Sequence, residues 1–324
     1  YLHNGYGQII EYRAPDLGLG DERTNYNYDR DRLLTRVERP DGNTVDYGYD
    51  TAGRILSRTT PEGTVSYDYD NLSGLPVAVT AADGGQLTFD YDGSLATRMA
   101  WSGTVNGAVT RVFDENFRVR QYSVNATSPV TFSYDDDGLL TRAGDMTLTR
   151  SSVNGLVQSS VLGAISENWG YNNFGELIEH RVIYDQQEIY SLLLDRDASG
   201  RIITRTESVE GLAPKVTEYS YDSAGRLDEV ITDSVQSARY KYDSNSNRLS
   251  VSRPLGDQNG TYDQQDRVTE FGGASYLYNA NGELTSRSEG ADVVAYEQGT
   301  RNLLGATLAN GTRVDYIIDG VDRR

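Results

Sequence analysis

The sequence has 324 residues, and its 30 Lys and Arg against 48 Asp and Glu give a formal net charge of −18 at pH 7. Such an acidic chain is poorly suited to non-specific nucleic-acid binding, which relies on cationic neutralisation of phosphate. The chain has no cysteine, which excludes disulfides and thiolate metal sites. No apolar window reaches the roughly 20 residues that predict a membrane-spanning helix.

The first predicted element is a less regular leading repeat over residues 1–25, and a clearer pattern begins at Tyr28. From there, an aromatic residue followed by Asp or Asn, a polar turn and a short apolar run recurs along the chain. The positions after the aromatic residue, at 29, 50, 70, 92, 114 and 135, are 21, 20, 22, 22 and 21 residues apart. A fixed period over the whole chain indicates a repeat architecture.

Each period fits two strands and two turns, because strands commonly have about five or six residues and tight connections a few more. In the segment 217–222, Tyr219 and Tyr221 are two residues apart and therefore share one face of a strand. The Asp-x-x-Gly that follows is typical of a turn, and the next apolar run begins the returning strand. The pattern predicts strands near 47–50, 67–70, 219–222 and 240–243 and almost no helix.

The residues at the repeated positions are predicted to be structural. We expect the tyrosine rings to stack on each other as a ladder, and each Asp to pair with the Arg four residues on, across the turn or between repeats. The predicted structural residues are Tyr28, Asp29, Tyr49, Asp50, Gly53, Arg54, Tyr69, Asp70, Tyr91, Asp92, Tyr134, Asp135, Tyr171, Asn172, Tyr221, Asp222, Gly225, Arg226, Tyr242, Asp243, Tyr278 and Asn279.

Degenerate copies of the pattern fill the gaps between the clear ones. They lie at Phe113-Asp114, 152–155, Arg196-Asp197, Tyr296-Glu297 and Ile318-Asp319. Residues 318–324 read as a truncated final repeat. We therefore expect one repeat region over 1–324, about fifteen hairpins long, that is a piece of a much larger polypeptide.

The segments YGYDTAGRIL at 47–56, YSYDSAGRLD at 219–228 and YLYNANGELT at 276–285 resemble the YD-repeat, or Rhs, family. This family includes bacterial Rhs toxins, insecticidal toxin-complex components and the animal teneurins, and the resemblance covers about nine-tenths of the chain. It implies an all-β fold in which stacked hairpins form a continuous curved or spiralling sheet, as a partial or complete hollow shell. In bacterial members the shell encloses a C-terminal toxin, which is released at an autoproteolytic aspartyl site.

Bacterial members commonly carry Asp-Pro motifs around that cleavage site, and this sequence has no Asp-Pro dipeptide. No catalytic residue is therefore carried over from the family. No nucleophile motif accompanies His3 or His180, and a Ser-His-Asp triad is not predicted. The acidic segments 135–138 and 243–247 lack a complete EF-hand pattern and are predicted to be ordinary turns. We predict no catalytic, cofactor or metal residue.

Trp101 and Trp169 are the two tryptophans of the chain. Core packing is the first interpretation for both. For Trp101, which follows an atypical repeat, an exposed platform for a ligand such as a sugar is the alternative.

Together with the absence of a predicted catalytic set, the resemblance implies a non-catalytic shell or scaffold segment of a large secreted or cell-surface bacterial protein that encloses a C-terminal toxin or other cargo. Its expected partners are the rest of the same polypeptide and that cargo, with glycans or cell-surface proteins as further candidates. No nucleic acid, membrane span or cofactor is expected. An extracellular adhesion or carbohydrate-binding module and a β-propeller-like hydrolase are the alternatives.

Overall fold

The computed structural model describes residues 1–18 and 22–323, and every regular element within them is a β-strand. Those parts of the predicted leading and final repeats that fall on residues 19–21 and Arg324 lie outside the described residues. The first strands are β1 Leu2–His3, β2 Ile9–Arg13, β3 Arg23–Tyr28, β4 Leu34–Glu38, β5 Thr44–Tyr49, β6 Ile55–Thr60, β7 Gly63–Tyr69, β8 Pro76–Thr80, β9 Gln86–Asp92, β10 Leu95–Ser102 and β11 Gly107–Phe113.

The remaining strands continue the alternation of strand and turn. They are β12 Val119–Val124, β13 Thr127–Tyr134, β14 Leu140–Ala143, β15 Met146–Arg150, β16 Val157–Leu162, β17 Ile165–Tyr171, β18 Leu177–Tyr184, β19 Gln187–Arg196, β20 Ile202–Val209, β21 Lys215–Tyr221, β22 Leu227–Thr232, β23 Val235–Tyr242, β24 Arg248–Arg253, β25 Gly256–Tyr262, β26 Val268–Phe271, β27 Ala274–Tyr278, β28 Leu284–Glu289, β29 Asp292–Gln298, β30 Leu303–Thr307 and β31 Arg313–Asp315.

The 31 strands belong to one sheet, in which strands that follow each other in sequence pair antiparallel. For example, β5 pairs with β6, β6 with β7 and β7 with β8. This arrangement confirms the predicted all-β fold of stacked hairpins in a continuous sheet.

Two compact units divide the chain. Unit 1 contains Tyr1–Arg111, Val124–Thr127 and Gly260–Arg324, and unit 2 contains Val112–Ser123 and Ser128–Asn259. The core of unit 1 is formed by Val65, Val79 and Leu87, with three aromatic side chains packed against it. In unit 2 the buried apolar side chains include Leu194 and Val251.

Alternation along the strands separates a face that carries the repeat tyrosines, the tyrosine face, from a more exposed opposite face. In β21, Thr217, Tyr219 and Tyr221 are buried or half-buried, whereas Glu218 and Ser220 are exposed. The predicted strands end one residue too late, because β5, β7, β21 and β23 end at the tyrosine and the Asp belongs to the turn. The register shifts at that tyrosine, as at Tyr49 and Tyr221, so a β-bulge precedes the turn.

Candidate functional site

The turn after each repeat tyrosine is held by its aspartate. Asp50 Oδ1 accepts hydrogen bonds from the backbone N–H of Ala52 and of Arg54, both at 2.9 Å, and Asp50 Oδ2 accepts from Arg54 Nε at 2.7 Å. Gly53 has a φ of 79°, which favours glycine. The turn 222–226 repeats this geometry, with Arg226 Nε at 2.8 Å from Asp222 Oδ2. The predicted Asp–Arg pair thus forms across the turn.

These contacts shift the titration of the turn aspartates. The backbone N–H of Arg54 is the largest influence that lowers the pKa of Asp50, and the backbone N–H of Arg226 does the same for Asp222. Hydrogen bonds that favour the carboxylate form produce this direction. These two folded turns therefore favour the ionised form of Asp50 and Asp222.

The hydroxyl of most repeat tyrosines connects the repeat to the one before it. The hydroxyl of Tyr69 donates to the carbonyl of Ile55 at 2.9 Å, and Ile55 is the first residue of the preceding returning strand. The same donor and acceptor positions pair Tyr28 with Ile9, Tyr49 with Leu34, Tyr91 with Pro76, Tyr134 with Val119, Tyr221 with Ile202, Tyr242 with Leu227 and Tyr278 with Val268.

The expected ladder of stacked tyrosine rings is wrong. The guanidinium carbon of Arg54 lies 4.5 Å from the ring centroid of Tyr69, so an arginine of the preceding turn lies over this ring. A cation over an aromatic face is attracted by the ring quadrupole, and the register of the bulged turn brings the arginine over the next ring. The same contact pairs Arg118 with Tyr134, Arg201 with Tyr221, Arg226 with Tyr242 and Arg267 with Tyr278.

Two turns reverse the chemistry of the Asp–Arg pair. Asn172 Nδ2 donates to Glu176 Oε2, and Asn279 Nδ2 donates to Glu283 Oε2, both at 2.7 Å. The acidic group has moved from the first to the fifth residue of the turn, and the first residue now supplies the donor. The sequence shows this exchange at Asn172 and Asn279, but the Asp–Arg interpretation alone did not explain it.

The repeat after each reversed turn also lacks its tyrosine. Arg196 stands there after Glu176 and donates to the carbonyl of Leu177, while Gln298 stands there after Glu283 and donates to the carbonyl of Leu284. An arginine as the fifth residue of the turn is therefore followed by a tyrosine in the next repeat. A glutamate there is followed by another hydrogen-bond donor, an arginine or a glutamine. This pattern indicates that the last residue of a turn and the side chain at the tyrosine position of the next repeat are matched to each other.

The structure changes the register of three predicted repeat positions. Arg150, which donates to the carbonyl of Leu140, takes the tyrosine position, so that degenerate turn begins at Ser151 and not at residue 152. In the degenerate repeat predicted at Tyr296, the tyrosine position is taken by Gln298 instead. Asp92 remains in β9 and pairs with Leu95 across a two-residue connection, so it does not build the aspartate turn.

Residues 316–323, here called the docking segment, lie on the tyrosine face of unit 1. Asp319 builds a turn of the repeat type, with Arg323 Nε at 2.7 Å from Asp319 Oδ2. Gly320 is buried, and a Cβ added to it would lie 2.6 Å from Val79 Cγ1. Only glycine lets the backbone of the segment rest on this core side chain.

A buried ion pair anchors the docking segment. Arg58 Nη1 and Nη2 donate to Asp322 Oδ2 and Oδ1 at 2.8 and 2.7 Å, and the side chain of Arg58 is 10% exposed. Burial opposes ionisation of both groups. The hydrogen bond and charge of Arg58, with further help from Arg301, nevertheless lower the pKa of Asp322 below its ordinary value. Asp322 takes the position that Gly53 has in its turn, with a φ of 64°.

Further polar contacts connect the early and late parts of unit 1. Arg39 forms an ion pair with Glu283 and donates to the carbonyl of Thr300. Glu62 Oε1 accepts from the backbone N–H and the hydroxyl of Thr300 at 2.8 and 2.9 Å. These contacts hold the later strands of unit 1 beside the turns of its first strands.

Trp101 packs against the core of unit 1 rather than standing as a flat exposed platform. Its indole lies over Gly107, where an added Cβ would be 2.7 Å from the indole Cζ2. Trp101 lines a cavity of about 430 Å³ that the docking segment covers with Ile317 and Ile318. A ligand role for Trp101 stays a prediction, and its geometry is that of a cavity wall.

His180 and the acidic turns make local side-chain contacts. His180 Nε2 lies 2.9 Å from Glu167 Oε2, and its ring stacks on Trp169 with centroids 5.2 Å apart. Asp243 Oδ2 accepts from Asn247 Nδ2 at 2.9 Å, as in the other turns. Within residues 1–18 and 22–323, no three or more His, Cys, Asp or Glu side chains are grouped to hold a metal ion. The same residues form no helix that is long and apolar enough to cross a membrane.

A match to a family sequence profile decides the family. The sequence profile described as Teneurin YD-shell matches residues 3–324. The chain belongs to the teneurin YD-shell family. The Tyr–Asp pair of a YD repeat has two structural roles. The aspartate closes the turn, and the tyrosine attaches its repeat to the previous one.

Several known proteins are similar to this YD-shell chain. Teneurin-4 of Mus musculus is 27% identical over 300 residues, which cover 87% of this chain and 11% of the teneurin. Double-stranded DNA deaminase toxin A of Burkholderia cenocepacia is 26% identical over 257 residues, 71% of this chain and 17% of the toxin. The chain thus spans about a tenth of the length of the teneurin.

A crystal structure of TcdB2-TccC3-TEV has a similar fold. It superposes with a TM-score of 0.72 at 16% identity and covers 96% of this chain and 21% of that one. At this identity the similarity shows the YD-shell fold alone. The resemblance inferred from the sequence motifs is therefore confirmed at the level of family and fold.

Proposed function

We propose that this chain is a non-catalytic wall segment of a larger YD-shell protein. The observation that carries the proposal is the joint between repeats, in which a tyrosine hydroxyl donates to the carbonyl that begins the preceding returning strand. Because this joint recurs from Tyr28 to Tyr278, the recurring polar residues of the motif are used for wall building.

We further propose that the wall encloses a C-terminal toxin or other cargo of a secreted or cell-surface bacterial protein. Similarity to a bacterial deaminase toxin over 71% of this chain supports a toxin-bearing context. The fold shared with the TcdB2-TccC3-TEV structure supports a shell architecture. The expected partners are the rest of the polypeptide and the enclosed segment.

Protease protection tests the enclosure in the full-length polypeptide that contains this chain. The segment after the shell should resist a protease that cleaves it rapidly when it is expressed alone. A Tyr242→Ala/Tyr278→Ala variant, which opens two joints, should make the segment cleavable, while Tyr184→Ala, at an exposed tyrosine, should not. Equal cleavage in the intact protein and in the isolated segment would contradict enclosure.

Activity screening tests the non-catalytic part of the proposal. Glycoside and peptide substrates should show no turnover with the chain. Reproducible turnover that disappears when one carboxylate is replaced would overturn it. The propeller hydrolase receives no support from the fold, because all strands belong to one sheet and a propeller divides into separate four-stranded blades.

The adhesion alternative receives no specific support from Trp101. A sugar-stacking platform presents an open aromatic face, whereas this indole is packed on Gly107 and lies beneath the docking segment. Glycans and cell-surface proteins stay candidate partners whose binding a glycan array and a cell-binding assay would measure.

A further inference from the structure

The cavity beneath the docking segment of unit 1 is bounded by packed apolar side chains. Leu87 and Val109 form part of its lining and are 2% and 6% exposed. Ile317 and Ile318 of the docking segment line it, and so does Trp101. Its volume of about 430 Å³ lies within the range of small-molecule sites, roughly 300–1,000 Å³.

The walls of the cavity are fixed in place on two sides. The indole of Trp101 rests on Gly107, where no side chain competes for the space. The cover is held by the contact of Gly320 with Val79 and by the Arg58–Asp322 ion pair. A cavity with fixed walls does not collapse when it is unfilled, so its lining gains dispersion contacts from a ligand of matching shape.

Arg323 adds a chemical preference to this shape. It belongs to the same kind of turn as Arg54, and it lines the cavity. Arg54 and the corresponding arginines of four other turns each lie over an aromatic ring. Arg323 Nη2 lies 3.7 Å from Met99 Sδ instead. A planar guanidinium next to a thioether, in a cavity that an indole also lines, favours an aromatic ring as ligand.

The edge of the cavity favours a small molecule over a polypeptide. Val105 and Ile317, which line it, are 54% and 47% exposed, so apolar surface remains uncovered at its mouth. A polypeptide would need to displace the docking segment, which is held by the buried Arg58–Asp322 pair. A compact ring can enter while the cover stays in place.

We propose that this cavity binds a small, mostly apolar aromatic molecule, whose ring contacts Trp101 and Arg323. The site is separate from wall building and goes beyond the proposed shell function. No residue of a repeat joint is needed to form it.

The test uses N-phenyl-1-naphthylamine as the probe and the Trp169→Phe variant, in which Trp101 is the one tryptophan left. Binding should be saturable, and the emission of Trp101 should fall as that of the probe rises. Ile318→Phe fills the cavity and should weaken binding about tenfold or more. Arg323→Gln removes the cation and should weaken it about threefold, in line with an exposed cation–aromatic contact.

Arg201→Gln is the matched control, because Arg201 belongs to the same type of turn in unit 2 and does not line the cavity. It should bind the probe with unchanged affinity. Each variant is first shown to melt cooperatively with wild-type circular dichroism. Unsaturable binding, or equal affinity in folded Ile318→Phe and in the parent, would overturn the proposal.

Discussion

Arg58 in unit 1 and Arg205 in unit 2 take the same position in their repeats but find their carboxylates in different ways. Each stands three residues after the first residue of its returning strand. Arg205 pairs with Glu207, two residues on in the same strand, at 2.7 Å. Arg58 has Thr60 at that place and pairs with Asp322, 264 residues away.

The arginine at this repeat position can therefore form an ion pair either within its own strand or with a distant segment. Arg287 and Glu289 form an ion pair of the same local kind, with both residues in a single strand. Replacing the local glutamate by Thr60 leaves Arg58 dependent on the docking segment. A missing local partner thus becomes a specific attachment point for a distant part of unit 1.

Acid should give the largest effect, because it acts on the docking contact and on the turns together. The pKa of Asp322, Asp50 and Asp222 is lowered in the folded protein. Their stabilisation is therefore complete above the unfolded value of about 3.9 and is lost as the pH falls through the lower folded values. The urea midpoint should decline steeply below about pH 4. A midpoint that stays level down to pH 2 would contradict the aspartate turns.

Asp322→Ala should be the most damaging single change in this comparison. It leaves the buried Arg58 without its carboxylate, which costs about 3 kcal/mol of unfolding free energy. Glu207→Ala is the control at the equivalent but more exposed pair, and should cost at most about 1 kcal/mol. Urea unfolding and hydrogen exchange in 316–323 measure the two. Equal losses would show that the distant and local pairs are equivalent.

Gly320→Ala should weaken the docking segment next. The added Cβ would lie 2.6 Å from Val79 Cγ1, so the backbone must lift and about 1–3 kcal/mol is lost. Gly5→Ala, where an added Cβ meets nothing within 4 Å, is the matched control. A crystal structure of the variant with an unmoved segment would refute the steric argument.

Tyr242→Phe should have the smallest effect, about 1 kcal/mol, because it removes one hydrogen bond to the carbonyl of Leu227 and keeps the ring. Arg226 should remain over the ring. Tyr184→Phe, at an exposed tyrosine, should change the thermal midpoint very little. Were the two variants equally stable, the hydroxyl joint would not contribute to the wall.

Features that depend on residues close together in the sequence could be predicted from it. Asp50, Gly53 and Arg54 lie within one turn, and the period placed the ends of strands β5 and β21 to within one residue of Tyr49 and Tyr221. The arginine over the ring of the next repeat was missed, because the period shows that repeats are adjacent but not which side chains meet. The reversed turns at Asn172 and Asn279 could have indicated it, since the following repeats there lack tyrosine.

The contacts of the docking segment could not be predicted from the period. Its turn could be recognised by aligning 319–323 with 50–54, but nothing periodic connects Asp322 with Arg58. Contacts between neighbouring repeats follow from the repeat, whereas this contact joins parts of the chain more than 260 residues apart. Only the folded arrangement of unit 1 brings Val79 and Gly320 together.

The reversed turns impose an order on the hairpins. Glu176 precedes the repeat whose tyrosine position holds Arg196, whereas Arg226 precedes Tyr242. If the hairpin ending in Arg226 were moved in front of the one with Arg196, two guanidinium groups would face each other at the joint. The hairpins are therefore not interchangeable. The side chains at the boundary of each hairpin match those of its neighbour, and a shuffled or shortened version of this sheet would have to keep these matches.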